Sequence, residues 1–295
     1  MKIALYIAFH NKSSIDCCKE IIDIISQNNQ LVIDSKIKNE LTKEAQDKFS
    51  FFDSNKPIEG NIDFVFAVGG DGTILRSITY VKNSNIPILG VNTGRLGFLT
   101  SIQKENIQEA ISQINENKFS VIKRTLLEVK SDSINNAFSD YPFALNEITI
   151  QRKDTTSLLN ISCQINGNYL TNYWSDGLII STPTGSTGYS LSCGGPIVMP
   201  ESKNFIITPI APHNLNVRPL IVSDDNTIQI EIIDNNTHKF LLSMDSRNQY
   251  IKNSTQIIIK KAKHNIKLVE IESINYSKTL RDKLLWGLDK RNDEM

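Results

Sequence analysis

The sequence predicts an α+β protein of two domains. An N-terminal α/β three-layer domain carries a mostly parallel sheet, a β-rich, sandwich-like domain follows, and a last helix returns to the first domain. Three observations lead there. Up to about residue 100, apolar runs of strand length alternate with stretches of helical repeat. After about residue 120, strand-like runs separated by turn signals take over. The final stretch is an amphipathic helix with no helical partner in the region before it. The expected boundaries are 1–103 for the α/β domain, 104–275 for the β-rich domain and 276–295 for the returning helix.

In chain order, "KIALYIA" (2–8) reads as a buried strand. "SSIDCCKEIIDIISQNN" reads as a helix, with Ile15, Cys18, Ile22 and Ile25 at helical spacing and Ser13 and Asp16 suited to a capping box. "NIDFVFAV" (61–68) and "IPILGVN" (86–92) are further buried strands, and "DGTILRSITYVKN" starts a helix between them. "KENIQEAISQINENK" (104–118) predicts a connecting helix. "TLLEVKS", "FALNEITIQR" and "LLNISCQI-NGN-YLTNY" are strand-like, the last folding back at an Asn-Gly turn. "TIQIEIID-NNT-HKFLLSMD" and "QIIIKKA-KHN-IKLVEIE" read as two more hairpins. In the tail, Leu280, Leu284 and Leu288 form one stripe, predicted to dock on the first domain.

Composition narrows the function. Lys+Arg and Asp+Glu both number 32, so no global basic field invites nucleic acid. No stretch reaches the roughly 18 apolar residues a membrane helix needs. The histidines are scattered without HxxH or HExxH, which argues against a protein-built transition-metal site. Cys17, Cys18, Cys163 and Cys193 form no CxxC, and with no leader-like N-terminus they point to reduced thiols in the cytoplasm.

Five segments carry chemistry. In "VFAVGGDGTILR", a strand runs into Gly69, Gly70, Asp71, Gly72 and Thr73 and then into a helix, a place where free N–H groups meet an anion. The loop is neither a Walker A nor GxGxxG. Asp71 either caps the helix or is presented to a ligand, to accept a hydroxyl proton, hold a sugar hydroxyl or reach a phosphate-bound Mg²⁺. "SDGLIISTPTGSTGYSLSCGGPI" sets seven hydroxyls within twelve residues, from Ser181 to Ser192, and reads as a surface of short donors for phosphates and sugars. In "LNEITI", Asn146 and Glu147 interrupt a strand and require polar partners. "VNTGRLGFLT" and "PIAPHNLNVRPLIV" complete the set, the latter with His213 and Arg218.

Together "GGDGT", "NTGRLGFLT", "LNE", "DGLIISTPTGSTGYSLSCGGPI" and "PIAPHNLNVRPLI" resemble the NAD kinase family, in that family's order and over roughly residues 65–222. "GGDGT" alone also occurs in diacylglycerol and sphingosine kinases; the long Ser/Thr/Gly segment combined with "NE" is specific to NAD kinases. The resemblance implies ATP-dependent phosphorylation of NAD to NADP, at the 2′-hydroxyl of the adenosine ribose, with Mg²⁺. It implies that Asp71 stands at the reacting hydroxyl and that Gly72 and Arg76 lie beside the dinucleotide. Asn146 and Glu147 would take nucleoside hydroxyls and a base edge, and Asp176 the second nucleoside. Thr187, Gly188, Tyr189, Ser190, Leu191 and Ser192 would wrap the adenine end, and Ala211 would line the pocket. Gly69, Gly70, Gly72 and Thr73 would meet the ATP phosphates. A homo-oligomer, dimer or tetramer, is the family's usual state. The chain departs from the pattern where its first strand runs into "AFHNKSS" instead of a Gly-Pro turn, at Gly188 where Ala is frequent, and at "MDSR" (244–247), which replaces Asp-Gly-Gln and leaves Asp245 and Arg247 without an assigned role.

Overall fold

The structure, a computed structural model, describes all residues except 10, 95–96, 133, 135–137, 139, 154–157, 234–239, 253, 272–275 and 287–295. The chain forms two compact units, residues 1–123 with 267–295, and residues 124–266.

The first unit is an all-parallel sheet with helices on both faces. Its strands are β1 (Lys2–Ile7), β2 (Gln30–Asp34), β3 (Ser50–Phe52), β4 (Phe64–Val68), β5 (Ile88–Asn92) and the short β6 (Ile102–Gln103). The order is β3-β2-β1-β4-β5, with β6 beside β5. The chain winds outward from β1 to β3 and then returns to β4 on β1's other side. The carboxyl ends of β1 and β4 are therefore the point where the winding reverses, the usual ligand crevice of an open parallel sheet. β2 and β3 come from the stretch between the first helix and residue 61, which carries no strong apolar run.

Alternation along the strands builds the layers. Ile3, Leu5, Ile7, Phe64, Phe66, Val68, Leu89 and Val91 point to one face. There they pack against Ile15, Cys18, Ile21, Ile22 and Ile25 of α1 (Lys12–Ile25) and Ile107, Ala110, Ile111 and Ile114 of a later helix. After the short α2 (Lys43–Lys48), α3 (Asp71–Val81) covers the opposite face, where Tyr80 stacks on Tyr6 with ring centroids 5.8 Å apart. The later helix, α4 (Ile107–Asn115), thus belongs to the first core and does not open the second domain at residue 104. The capping box at Ser13 is also corrected. The cap lies two residues earlier, where Asn11 accepts the Ser14 N–H at 2.9 Å and α1 starts at Lys12. Ser13 Oγ instead donates to the Thr93 carbonyl at 3.1 Å.

The second unit is a sandwich of antiparallel sheets around one core. β7 (Phe119–Lys130) enters it and pairs with β8 (Phe143–Ala144). β9 (Glu147–Arg152), β10 (Leu159–Ile165), β11 (Asn168–Ser175), β12 (Gly177–Ser181), β13 (Asn204–Ile210), β14 (Leu220–Ser223), β15 (Ile228–Ile232), β16 (Phe240–Met244), β17 (Arg247–Ile251) and β18 (Gln256–Ile271) follow. One sheet contains β11-β10-β15-β18 and the other runs β14-β13-β12-β9-β16-β17. Ile161, Cys163, Ile230 and Ile257 of the first meet Ile148, Ile180, Phe205 and Leu242 of the second. A short helix, α5 (Tyr189–Ser192), follows β12.

The Asn-Gly hairpin forms as expected, with Asn166 and Gly167 at φ +52° and +79°, the conformation a two-residue β-turn demands. The other two hairpins do not form. β15 pairs with β10 and β18 while β16 pairs with β9 and β17, so the two runs joined at "NNT" lie in different sheets. "KHN" sits inside the continuous β18, where His264 packs edge-on against Phe143 with ring centroids 4.5 Å apart. β18 pairs with β15 in the second unit and, at Leu268, with Ile88 of β5 in the first. The last helix, α6 (Tyr276–Leu284), is part of the first unit, with Tyr276 near Phe98 and Leu280 and Leu284 half-buried. Leu288 lies outside the described residues. No helix among the described residues is long and apolar enough to cross a membrane.

Candidate functional site

In the first unit, the glycine loop leaves β4 at the reversal point. Gly69 takes φ +147°, and a Cβ there would meet Thr73 Oγ1 at 2.1 Å, so the turn onto α3 requires glycine. Gly70 is the N-cap and contributes no side chain, while a Cβ on it would meet nothing within 4 Å. The Gly69 N–H donates to the Val91 carbonyl at 2.9 Å and the Thr73 N–H to the Gly70 carbonyl at 2.8 Å, so an anion at the start of α3 would be met by the N–H groups of residues 70–72. Thr73 Oγ1 is buried without a hydrogen-bond partner among the described residues. Arg76 is exposed and lies over the Phe9 ring, 4.7 Å from its centroid.

Asp71 does not cap α3. Its carboxylate reaches across to the "GFLT" loop and accepts the N–H groups of Phe98, Leu99 and Thr100 at 2.8, 3.0 and 3.2 Å. A Cβ on Gly97 would stand 1.7 Å from Asp71 Oδ1, so this approach requires glycine at 97. Thr100 Oγ1 accepts from Asn92 Nδ2 at 2.9 Å and from the Gly97 N–H at 2.8 Å, tying the loop to the end of β5. A carboxylate has about four acceptor positions. Three take amides, and the Thr100 hydroxyl donates to Oδ1 at 3.5 Å.

In the second unit, Asn146 and Glu147 stand at the start of β9. The residues after β12 fold over them. Thr182 Oγ1 donates to the Leu145 carbonyl at 2.6 Å and the Thr182 N–H to the Asn146 carbonyl at 2.9 Å. A Cβ on Gly185 would meet the Asn146 carbonyl oxygen at 2.2 Å, and one on Gly188 would meet Glu147 Oε2 at 2.9 Å. Beneath these glycines, Asn146 Oδ1 and Glu147 Oε2 are buried without hydrogen-bond partners among the described residues. Burial, then the charge of Asp245, push the Glu147 carboxyl up to about 8, and the Tyr189 backbone N–H opposes the shift.

The Ser/Thr-rich segment corrects the expectation of a donor surface. Ser181, Thr182, Ser186 and Ser190 are fully buried. Ser190 Oγ is 2.8 Å from Thr208 Oγ1, and Ser186 Oγ links to the N–H and carbonyl of Val198 at 3.1 and 3.2 Å. Small hydroxyls bond their own backbone readily, and here they hold the loop in shape. What faces outward is Tyr189, with its hydroxyl 2.8 Å from Gln151 Nε2, together with Ser192 and the partly exposed Thr187, Gly188 and Leu191. Asp176 is paired with Arg152 at 3.0 Å. Ala211 takes φ +43°, uncommon for a residue with a Cβ, at the exposed end of β13. His213 is exposed, and its backbone N–H donates to the Trp174 carbonyl at 2.8 Å.

Asp245 and Arg247, in the "MDSR" stretch that departs from the family's Asp-Gly-Gln, join the site. Asp245 turns at φ +50° and accepts the N–H groups of Leu145, Asn146 and Glu147 at 2.9, 2.8 and 3.3 Å. Burial raises its carboxyl, and those amides and Arg247 oppose the rise. Arg247 donates to the Tyr141 carbonyl at 2.6 Å and also to the Phe143 carbonyl. The signal in the sequence was the altered Asp-Gly-Gln position, which marked both residues without giving either a role.

Known proteins are similar to this chain over nearly its whole length. Residues 7–119 match the ATP-NAD kinase N-terminal domain and residues 145–271 the ATP-NAD kinase C-terminal domain. The NAD kinase of Flavobacterium psychrophilum is 47% identical over 295 residues, covering 99% of this chain and 100% of that protein. That of Flavobacterium johnsoniae is 45% identical with the same coverage. Among solved structures, an NAD kinase from Archaeoglobus fulgidus in complex with ATP superposes with TM-score 0.73 at 26% identity, covering 97% of this chain and 99% of that one. Yeast NADH kinase complexed with NADH has the same fold, at TM-score 0.85 and 22% identity, covering 98% of this chain and 88% of that one. With both of its units matched in order and near-full-length relatives at this identity, the chain belongs to the NAD kinase family.

Proposed function

We propose that this chain transfers the γ-phosphoryl group of ATP to the 2′-hydroxyl of the adenosine ribose of NAD, giving NADP. The observation that carries the reading is the pair of buried, unpartnered oxygens, Asn146 Oδ1 and Glu147 Oε2, under a glycine roof. Buried polar atoms are ordinarily paired, and ribose hydroxyls and a base edge are the partners they lack. A Glu147 held protonated also offers one O–H donor to such a ligand.

Asn146 and Glu147 then bind the nucleoside, Asp176 the second nucleoside, and residues 187–192 the adenine end through their backbone and the Tyr189 ring. Ala211 lines that pocket, and Gly72 and Arg76 lie beside the dinucleotide. Gly69, Gly70, Gly72 and Thr73 form the turn that receives the ATP phosphates, with the N–H groups of Gly70 and Gly72 and the buried Thr73 hydroxyl as donors. Asp71, anchored by three amides, orients the ribose hydroxyl. A carboxylate is far too weak a base to ionise that hydroxyl beforehand. In a loose phosphoryl-transfer transition state the proton leaves late, so positioning is its main contribution. Mg²⁺ would arrive on the ATP phosphates. Its contribution there is to neutralise phosphate charge. The free cysteines suit the cytoplasm. A homo-oligomer, dimer or tetramer, suits Tyr169 and Trp174, which are 66% and 48% exposed on the edge strand β11; light scattering measures it.

The decisive experiment supplies purified chain with Mg-ATP and NAD⁺ and follows NADP⁺ with an NADP-specific dehydrogenase. Turnover of a lipid alcohol in place of NAD⁺, or no turnover with either, overturns the reading.

A further inference from the structure

We infer that Asp245 is a positioning residue for the dinucleotide, acting through the backbone of residues 145–147, with Arg247 bracing the segment before them. The inference rests on the NAD reading of Asn146 and Glu147.

The geometry makes the case. β9 begins at Glu147, yet the residues before it, Leu145 and Asn146, have no β16 partner to hold their N–H groups. The carboxylate of Asp245 supplies that partner, with Oδ2 taking Leu145 and Oδ1 taking Asn146 and Glu147. The Asp245 N–H returns a bond to the Glu147 carbonyl at 3.1 Å. Two residues later, Arg247 donates to the carbonyls of Tyr141 and Phe143 and lies 5.7 Å from the Tyr141 ring centroid. One tight turn, with Asp245 in the left-handed region, thus grips residues 141–147 by their donors and their acceptors. Side-chain direction at Asn146 and Glu147 follows from the backbone. Their buried oxygens aim under Gly185 and Gly188 only while this stretch keeps its course. The same device appears in the first unit, where Asp71 takes three consecutive amides. Asp71 has a proposed role at the hydroxyl, whereas Asp245 acts through its neighbours alone.

The test is Asp245→Asn, with NAD⁺ affinity measured by calorimetry beside steady-state kinetics and a melting curve. Asparagine offers one acceptor oxygen and turns an N–H₂ toward the amides. The expected result is a Kd and KM for NAD⁺ raised about ten- to a hundredfold, with kcat and the KM for ATP within about threefold. In an Asn146→Ala background, Asp245→Asn should raise KM less than it does alone, because the two changes share the Asn146 contact while that of Glu147 remains. A lower melting temperature with unchanged NAD⁺ affinity would make Asp245 merely structural and overturn the proposal. So would full additivity with Asn146→Ala, or a loss confined to kcat. If Asp245→Asn does not fold, Arg247→Gln takes its place in the same measurements, and the same results support or overturn the proposal. Wild-type chain that binds no NAD⁺ sinks the functional reading; wild-type binding with unmoved variants sinks this inference alone.

Discussion

The Asp245 carboxylate accepts the backbone N–H of Asn146 at 2.8 Å, across 99 residues of chain. That bond holds the backbone while the side-chain oxygen of Asn146 stays buried without a partner among the described residues. Asn146→Ala should therefore weaken NAD⁺ more than ATP. Loss of a buried amide partner costs about 1–3 kcal/mol, so KM for NAD⁺ should rise roughly five- to 150-fold. Steady-state kinetics with each substrate varied check it. An unchanged KM for NAD⁺ beside a raised KM for ATP would reverse the assignment of this pocket.

Glu147 gives a pH dependence with a definite sign. Its carboxyl is lifted from 4.5 to about 8 in the folded chain, burial first. Between those values the folded state holds a proton that the unfolded state has released. Stability then falls as pH rises through that window and levels off above about 8. Asp245, also raised, pulls the same way and is retained in the variant. Glu147→Gln should flatten the decline of Tm between about pH 5 and 8 relative to wild type. Parallel curves would place the Glu147 pKa near its ordinary value.

Asp71→Asn separates orientation from metal binding. As a group positioned at the ribose hydroxyl, Asp71 should lose about 10²–10⁴ in kcat on this change. The asparagine also forfeits acceptor positions for the amides of Phe98, Leu99 and Thr100, so Tm should fall, by about 1–3 kcal/mol of stability. Rescue of activity by extra Mg²⁺ would instead mean that Asp71 holds the cation. Near-normal kcat sinks the catalytic role.

Gly97→Ala tests the close approach itself. Its Cβ would sit 1.7 Å from Asp71 Oδ1, and that carboxylate cannot swing aside without breaking its amide bonds. Overpacking of this kind costs about 1–3 kcal/mol. Gly70→Ala, which meets nothing within 4 Å, is the stability control and should shift melting far less. Equal melting of the two variants would show that the loop gives way freely.

Much of the fold was legible before any coordinates. β1, β4 and β5 are short, continuous apolar runs, as strands buried on both faces must be. Asn166-Gly167 announced its own turn because few residues tolerate those φ values. "KHN" misled because polarity alone mimics a turn; no residue in it adopts positive φ, and Phe143 packs on His264 within one long strand. "NNT" misled because adjacency in sequence does not choose a sheet.

What the sequence determined by itself is local: where glycine is obligatory, which runs are buried, and which polar residues interrupt them. Gly69, Asp71, Asn146 and Glu147 were identifiable because their types break an apolar pattern at element ends. What only the tertiary structure decided is the partner of each polar group. Asp71 bonds amides 27 to 29 residues away, and Asp245 amides 98 to 100 away. A carboxylate's pairing is set by whichever unsatisfied N–H groups the packed strands bring within about 3 Å. No spacing rule along the chain encodes that meeting. The serines and threonines of 181–190 follow the same logic: their types suggested ligand donors, and packing turned most of them inward to hold the loop.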